Sequence, residues 1–150
     1  MSTVKTITSA ELIAYLALRG RGLRCKVSES FHEDAVYALP TAHYLCTVFL
    51  PGFKEWQKRE GIFGKWSRSF DCDKFSDAAM YYKARCYENT ADTTADGFAV
   101  HKISYITDAG TGHKVNEALT DEGLLIFEPQ TCEVVSLSEQ ELDSIYFRNK

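Results

Sequence analysis

The sequence predicts an α+β domain in which N-terminal helices come first and an antiparallel sheet follows. Two observations lead to this fold class. Apolar residues recur at helical spacing in the first part of the chain, whereas the part after residue 97 consists of apolar runs bounded by turn residues. With 150 residues, of which 45% are hydrophobic, the chain has the size and composition of a single domain over residues 1–150 with its own core.

The first two helices are predicted from their start and stop residues. Ser9 is the expected N-cap of the first, and its apolar residues Leu12, Ile13 and Leu16 follow at helical spacing. Pro40 stands where the second can begin, with a body over 41–49 and Pro51-Gly52 as its end. A further helical turn is expected over 53–60.

The third helix carries the residue of greatest chemical interest, Cys72. Apolar or small residues follow it in steps of three and four, at Phe75, Ala79, Tyr82 and Cys86, so Cys72 lies on the buried face in the first turn. There the helix dipole and free N–H groups stabilise a thiolate, and the same N–H groups can donate to an oxyanion. The plainer interpretation is a small buried residue without chemistry.

Strands are predicted over 35–39, 98–106, 113–119 and 124–127, the last two joined as a hairpin through Thr120-Asp-Glu-Gly123. Ser138 and Glu141 have the spacing of a capping box, which predicts a last helix over 138–146.

A nucleophile needs a base, and His113 at the start of a strand is the best-placed histidine. The hairpin supplies its partner, because residues equidistant from the turn face each other. A two-residue loop at Thr120-Asp121 pairs His113 with Glu128, and a four-residue loop from Thr120 to Gly123 pairs it with Gln130. Either side chain could hold the imidazole by its second nitrogen, as a Cys-His-Glu or Cys-His-Asn arrangement requires.

Charge and cysteine content exclude several functions. A net charge of −4 without a basic block makes a nucleic-acid partner unexpected. No uninterrupted apolar stretch reaches the length of about 20 residues that a membrane helix needs. Five cysteines, an odd count without a C-x-x-C pair, and an N-terminus without a secretion signal favour a reducing, cytoplasmic location.

Three segments carry a family resemblance: Phe70-Asp-Cys-Asp-Lys-Phe-Ser76, Gly112-His113 and Phe127-Glu-Pro-Gln-Thr131. Together with Tyr37-Ala-Leu-Pro-Thr41, they resemble the papain-like C-terminal domain of the Marasmius oreades agglutinin and related bacterial and phage proteins. The resemblance covers about residues 34–141 and implies a papain-like (transglutaminase/NlpC-like) core.

The resemblance also implies roles for individual residues. Cys72 would be the nucleophile, His113 the general base and Glu128 the orienting acid, with Trp66 and Gln130 at the substrate. The lectin-linked member is a calcium-activated protease, for which Asp73, Glu128 and Gln130 would be the matching metal ligands. Lys74 stands where that group has a second acidic residue. We therefore expect no required cofactor, with calcium as the only candidate metal.

The leading hypothesis is a cysteine hydrolase that cleaves a peptide or amide bond in a peptide or protein substrate. One alternative keeps the triad and changes the acceptor, as in a transglutaminase-type acyl transferase or a cell-wall amidase. Another is a catalytically silent binding or host-interaction module. Aromatic residues around Gly61 and Gly64, namely Trp56, Phe63, Trp66 and Phe70, could line a cleft or simply pack against the core.

Overall fold

The structure, a computed structural model, describes residues 5–19, 26–27, 35–90 and 94–149. The strands within these residues are β1 (Thr6–Thr8), β2 (Lys26–Val27), β3 (Val36–Ala38), β4 (Gly97–Phe98), β5 (Val100–Ile106), β6 (Gly112–Thr120), β7 (Gly123–Glu128), β8 (Glu133–Val135) and β9 (Phe147–Asn149). The helices are α1 (Ser9–Arg19), α2 (Ala42–Tyr44), a π-helical turn (Leu45–Phe49), α3 (Leu50–Arg59), α4 (Cys72–Glu88) and α5 (Glu139–Asp143).

Two β-sheets form the framework. The smaller has the order β1-β3-β4, in which β3 runs antiparallel to β1 and parallel to β4. The larger has the order β2-β9-β5-β6-β7-β8, and only its β2–β9 pair is parallel among the described strands. Its longest ladder joins β5 to β6 from Val100↔Ala118 to Ile106↔Gly112. This ladder carries much of the site described below.

The predicted succession of helices followed by an antiparallel sheet is wrong. Strands β1, β2 and β3 precede α2, so strands and helices alternate from the start of the chain. Each sheet also contains a parallel pair, which a simple antiparallel meander lacks. The physical reason is length: strands of two or three residues are too short for a period-two pattern to appear in the sequence.

The expected end of the second helix at Pro51-Gly52 is also wrong. The helix begins as predicted near Pro40, with Thr41 as its N-cap, but the π-helical turn then leads directly into α3. Pro51 falls in the first turn of α3, a position that suits the fixed φ of proline, so it does not end the helix. Gly52 provides room rather than a stop, because a Cβ there would collide with the Tyr82 hydroxyl.

The main core lies where α3 and α4 pack on the larger sheet. Phe49 contacts the rings of Tyr82 and Phe127 edge-on, with centroids 5.3 and 5.9 Å apart, and Phe53 lies 5.2 Å from Tyr82. Phe75 and Ala79 on the inner face of α4 are fully buried. These contacts confirm the predicted helix beginning at Cys72 and fix where its first turn points.

Two further predictions of local structure are confirmed. The capping box at Ser138 forms with both of its hydrogen bonds, although α5 ends at Asp143, earlier than predicted. The hairpin β6–β7 also forms, with Thr120 opposite Gly123. No helix among the described residues is both long and apolar enough to span a membrane.

Candidate functional site

A polar cleft opens where the first turn of α4 meets the start of β6. Its volume is about 320 Å³, and it is lined by Cys72, Asp73, Ser104, Gly112, His113, Lys114 and Tyr146. Helix α4 supplies the cysteine because its inner face must bury Phe75 and Ala79, which turns the first residue towards the sheet edge. The structure therefore brings Cys72 and His113 to one cleft, as the sequence predicted.

His113 is held by a carboxylate. Its Nε2 lies 2.7 Å from Oε2 of Glu128, the last residue of β7, and both side chains are mostly buried. The ring also packs edge-on against Tyr105, its partner on β5, with centroids 5.7 Å apart. The second carboxylate oxygen of Glu128 accepts a hydrogen bond from the backbone N–H of Gln130 at 3.1 Å. The imidazole is thus fixed on two sides.

The observed hairpin register decides between the two pairings that the sequence left open, and it is the one predicted for the longer loop. Thr120 pairs with Gly123, so the turn consists of Asp121 and Glu122 and the ladder register runs Asn116↔Phe127. Continued past its end, this register would place His113 opposite Gln130. The side chain of His113 nevertheless reaches Glu128, and Gln130 takes part only through its backbone.

The thiol of Cys72 is half-buried in the cleft wall. Within the described residues, no hydrogen bond joins its sulfur to His113 or to any other group. A nucleophile and its base are recognised by such a contact, although it is often looser when no ligand is bound. The three predicted catalytic residues therefore form one close pair, His113–Glu128, with Cys72 beside it in the same cleft.

The acidic residue next to the cysteine is already paired. Asp73 Oδ1 lies 2.6 Å from Nζ of Lys114, and this hydrogen bond holds the pKa of the Asp73 carboxyl below its usual value. Glu128 in turn is engaged by His113 and Gln130. Among the described residues, no group of three or more His, Cys, Asp or Glu side chains is placed to hold a metal ion. Two of the donors proposed for calcium, Asp73 and Glu128, thus have protein partners, and the expectation that no cofactor is required, with calcium as the only candidate metal, stays a prediction.

Trp66, predicted to contact substrate, lies in the connection between α3 and α4 and is 59% exposed. It is not part of the wall of the polar cleft. Gln130 lies at the turn after β7 and supports Glu128 rather than lining the cleft. The roles assigned to these two residues stay predictions.

A second depression lies between α3 and α4, and we call it the aromatic groove. Its volume is about 570 Å³, and it is lined by Trp56, Glu60, Ile62, Ser69, Phe70, Lys74, Asp77, Ala78 and Tyr81. Two residues of the predicted aromatic cluster, Trp56 and Phe70, belong to it. The sequence signal that was missed is on α4, where positions 74, 77, 78 and 81 repeat at helical spacing on a face other than that of Cys72.

Comparison with known proteins identifies the fold. No protein-family model and no curated protein sequence matches the chain. Among solved structures, a PSL1a–E64 complex matches 95% of this chain with a TM-score of 0.69 and 17% identity. Polyporus squamosus lectin bound to the human-type influenza-binding epitope Neu5Acα2-6Galβ1-4GlcNAc matches 95% with a TM-score of 0.64 and 17% identity. The chain spans about half the length of these proteins, 50% and 49% respectively.

These matches correct two predictions. On these comparisons the papain-like core is wrong, because the fold is shared with half of a lectin chain. The cysteine-protease hypothesis is corrected with it. Of the functions considered from the sequence, the catalytically silent binding module agrees better with these neighbours.

Proposed function

We propose that this domain is a binding module and that the polar cleft holds a short glycan. The single observation that carries the proposal is a small cleft walled by fixed hydrogen-bonding side chains, on a fold that also occurs in a lectin bound to a sialylated trisaccharide. A glycan replaces the peptide or protein substrate expected from the sequence.

The cleft offers hydrogen-bonding groups whose positions are already set. Lys114 and Asp73 hold each other at 2.6 Å, and both face the cleft with donors and carboxylate oxygens to spare. The hydroxyl groups of Ser104 and Tyr146 lie on residues of the same wall. Because Lys114 and Asp73 are held in place before a ligand arrives, little of their side-chain entropy is lost on binding.

The His113–Glu128 pair fits the recognition of a hydroxyl group. With Nε2 donating to the Glu128 carboxylate, Nδ1 is left as an acceptor, and it makes no hydrogen bond within the described part of the chain. A sugar hydroxyl could donate to this nitrogen. Carboxylate support fixes the tautomer and ring orientation, which is useful to a binding site as well as to a catalyst.

Binding by this cleft needs no chemistry at Cys72. The sulfur is a small, polarisable part of the wall, and a serine would fill the same place with a hydroxyl group. A binding module therefore tolerates Cys72→Ser, whereas a mechanism that depends on a thiolate does not.

The test is a calorimetric titration of the protein with Neu5Acα2-6Galβ1-4GlcNAc, with the parent Galβ1-4GlcNAc, and with an unrelated peptide as comparator. We expect saturable binding of a glycan, a loss of at least about tenfold in affinity for His113→Ala, and less than about a threefold change for Cys72→Ser. His43→Ala is the matched control, because His43 is exposed and lies outside the cleft.

Two results would overturn the proposal. One is the absence of saturable binding by the wild-type protein to either glycan. The other is an affinity of His113→Ala equal to that of His43→Ala, which would place the ligand elsewhere on the molecule.

A further inference from the structure

The aromatic groove is separate from the polar cleft. It lies on the outer side of α4, whereas the cleft lies at the start of that helix, and no residue lines both. Its two walls are α3 with the turn that follows, and the segment 69–81 that includes the first half of α4. Its volume of about 570 Å³ is in the range of small-molecule binding sites.

The floor and one side of the groove are aromatic and firmly held. The indole of Trp56 stacks on the buried ring of Phe53, with centroids 5.8 Å apart and planes at 18°. The ring centroid of Tyr81 lies 6.2 Å from that of Trp56, and Tyr81 is 58% exposed. An exposed aromatic ring supported by a packed one is a preformed platform for a flat ligand with an apolar face.

The rim of the groove carries charges of both signs. Glu60 is exposed, and its carboxylate makes no hydrogen bond or ion pair within the described residues, although its backbone N–H donates to Trp56. Asp77 is bound through Oδ1 to Lys102 at 2.7 Å, which neutralises it. Lys74 lies 3.8 Å from Asp71, beyond hydrogen-bond distance, so its ammonium can still donate. The charged groups on the rim therefore leave no excess of positive charge, which favours a neutral polar ligand over an anion.

From this arrangement we infer that the aromatic groove is a second binding site, which takes a neutral pyranose ring. The apolar face of the ring lies on Tyr81 and Trp56, while its hydroxyl groups donate to the Glu60 carboxylate and accept from the Lys74 ammonium. Hydrogen bonds to charged groups of this kind are stronger than those between neutral groups. The domain is then bivalent for carbohydrate, with two sites that differ in chemistry.

An extended peptide is a poorer occupant of this groove. Peptides that add to a protein as a strand need an exposed sheet edge for their backbone, and both walls here are helical or lie in the connection between helices. A short amphipathic helix needs a continuous apolar trough, and Glu60, Lys74 and Asp77 interrupt this one. The peptide is therefore retained only as an outcome of the experiment.

The experiment follows backbone amide shifts by NMR while methyl-β-glucoside, methyl-β-galactoside and chitotriose are added to the intact protein. We expect saturable shifts in segment 69–81, with a loss of at least about fivefold in affinity for Tyr81→Ala and a loss of about threefold for Glu60→Gln. Tyr81→Phe should bind within about twofold of the wild type, because the ring that stacks is kept. Val48→Ala is the matched control, since it removes an exposed apolar side chain that lines neither the groove nor the polar cleft.

The outcomes separate this inference from the proposed function. The inference is overturned if none of the sugars gives saturable shifts at concentrations on the order of 10 mM. It is also overturned if Tyr81→Ala binds the sugars like Val48→Ala, or if only an apolar peptide shifts segment 69–81. Loss of glycan binding in His113→Ala bears on the polar cleft alone, so either site can fail while the other stands.

Discussion

Within the residues that the structure describes, two histidine–carboxylate pairs lie in the larger sheet, and they differ in what surrounds them. His101 and Glu117 face each other across the β5–β6 ladder at 2.6 Å, with side chains 1% and 2% exposed. His113 and Glu128 meet at 2.7 Å with side chains 23% and 17% exposed, at the wall of the polar cleft. The two contact distances are nearly equal, so the distance does not distinguish the pairs. The exposure of the side chains to solvent does distinguish them.

The first pair lies in the interior beside another charge. Lys83 on α4 is also buried and donates to the carbonyl of Val100, the residue before His101. Charged groups removed from water need partners, because an unpaired buried charge costs several kcal/mol. The interior pair therefore contributes to folding, whereas the pair at the cleft wall remains available to a ligand.

The largest expected effect follows from removing one carboxylate at a time. Glu117→Ala leaves buried polar groups without their partner and should lower the free energy of unfolding by about 3 kcal/mol or more. Glu128→Ala should lower it by about 1 kcal/mol, since solvent can reach the site. Urea denaturation of both variants measures the difference. Equal losses would mean that the two pairs have the same structural role.

A smaller effect is expected at alkaline pH through Tyr105, which packs against His113. Burial raises the pKa of Tyr105 to about 12, above its usual 10.0, so the folded state binds this proton more tightly than the unfolded state does. Its contribution is complete below pH 10.0 and is lost as the pH rises towards about 12, on the order of 2 kcal/mol.

Denaturation at several alkaline pH values tests this contribution. Tyr105→Phe should lose less stability than the wild type over that interval, because it has no proton to release. Tyr146→Phe, a change at an exposed tyrosine, should follow the wild-type curve. If both variants follow it, the ring of Tyr105 ionises without strain beside His113.

The smallest effect expected is a rate difference among thiols. Iodoacetamide should modify exposed Cys46 before half-buried Cys72, because the structure gives Cys72 no hydrogen bond to His113. Among the four cysteines in the described residues, Cys132 should react last, since burial raises its pKa to about 12. Mass spectrometry of the labelled peptides gives the order. Labelling of Cys72 well ahead of Cys46 would show an activated thiol and restore a chemical role for the cleft.

The chain's longer elements were predictable because their periods are long enough to read. Helix α4 and the β6–β7 hairpin are where spacing and turn residues placed them, and so Cys72 and His113 meet in one cleft. The short strands β1 to β3 could not be read, since two or three residues carry no period. The order of strands in the two sheets could not be predicted either. The parallel pairs β2–β9 and β3–β4 join strands that are far apart in the sequence.

The side-chain partner of His113 could be predicted from the sequence only to within two positions along the chain. The hairpin correctly brought a polar group to His113, but its register pointed to Gln130 while the longer reach of a diagonal contact selected Glu128. The aromatic groove could not be predicted, since nothing in the sequence shows that the end of α3 and the segment before α4 fold beside the polar face of α4.

Helix α4 contributes residues to both the polar cleft and the aromatic groove. Its buried residues, such as Phe75 and Ala79, set the position of the helix, so substitutions there should disturb both sites together. Substitutions of its residues that line one site should alter that site alone. With the two proposed binding sites at separate places along this helix, a single chain would be able to cross-link branched molecules without forming a dimer.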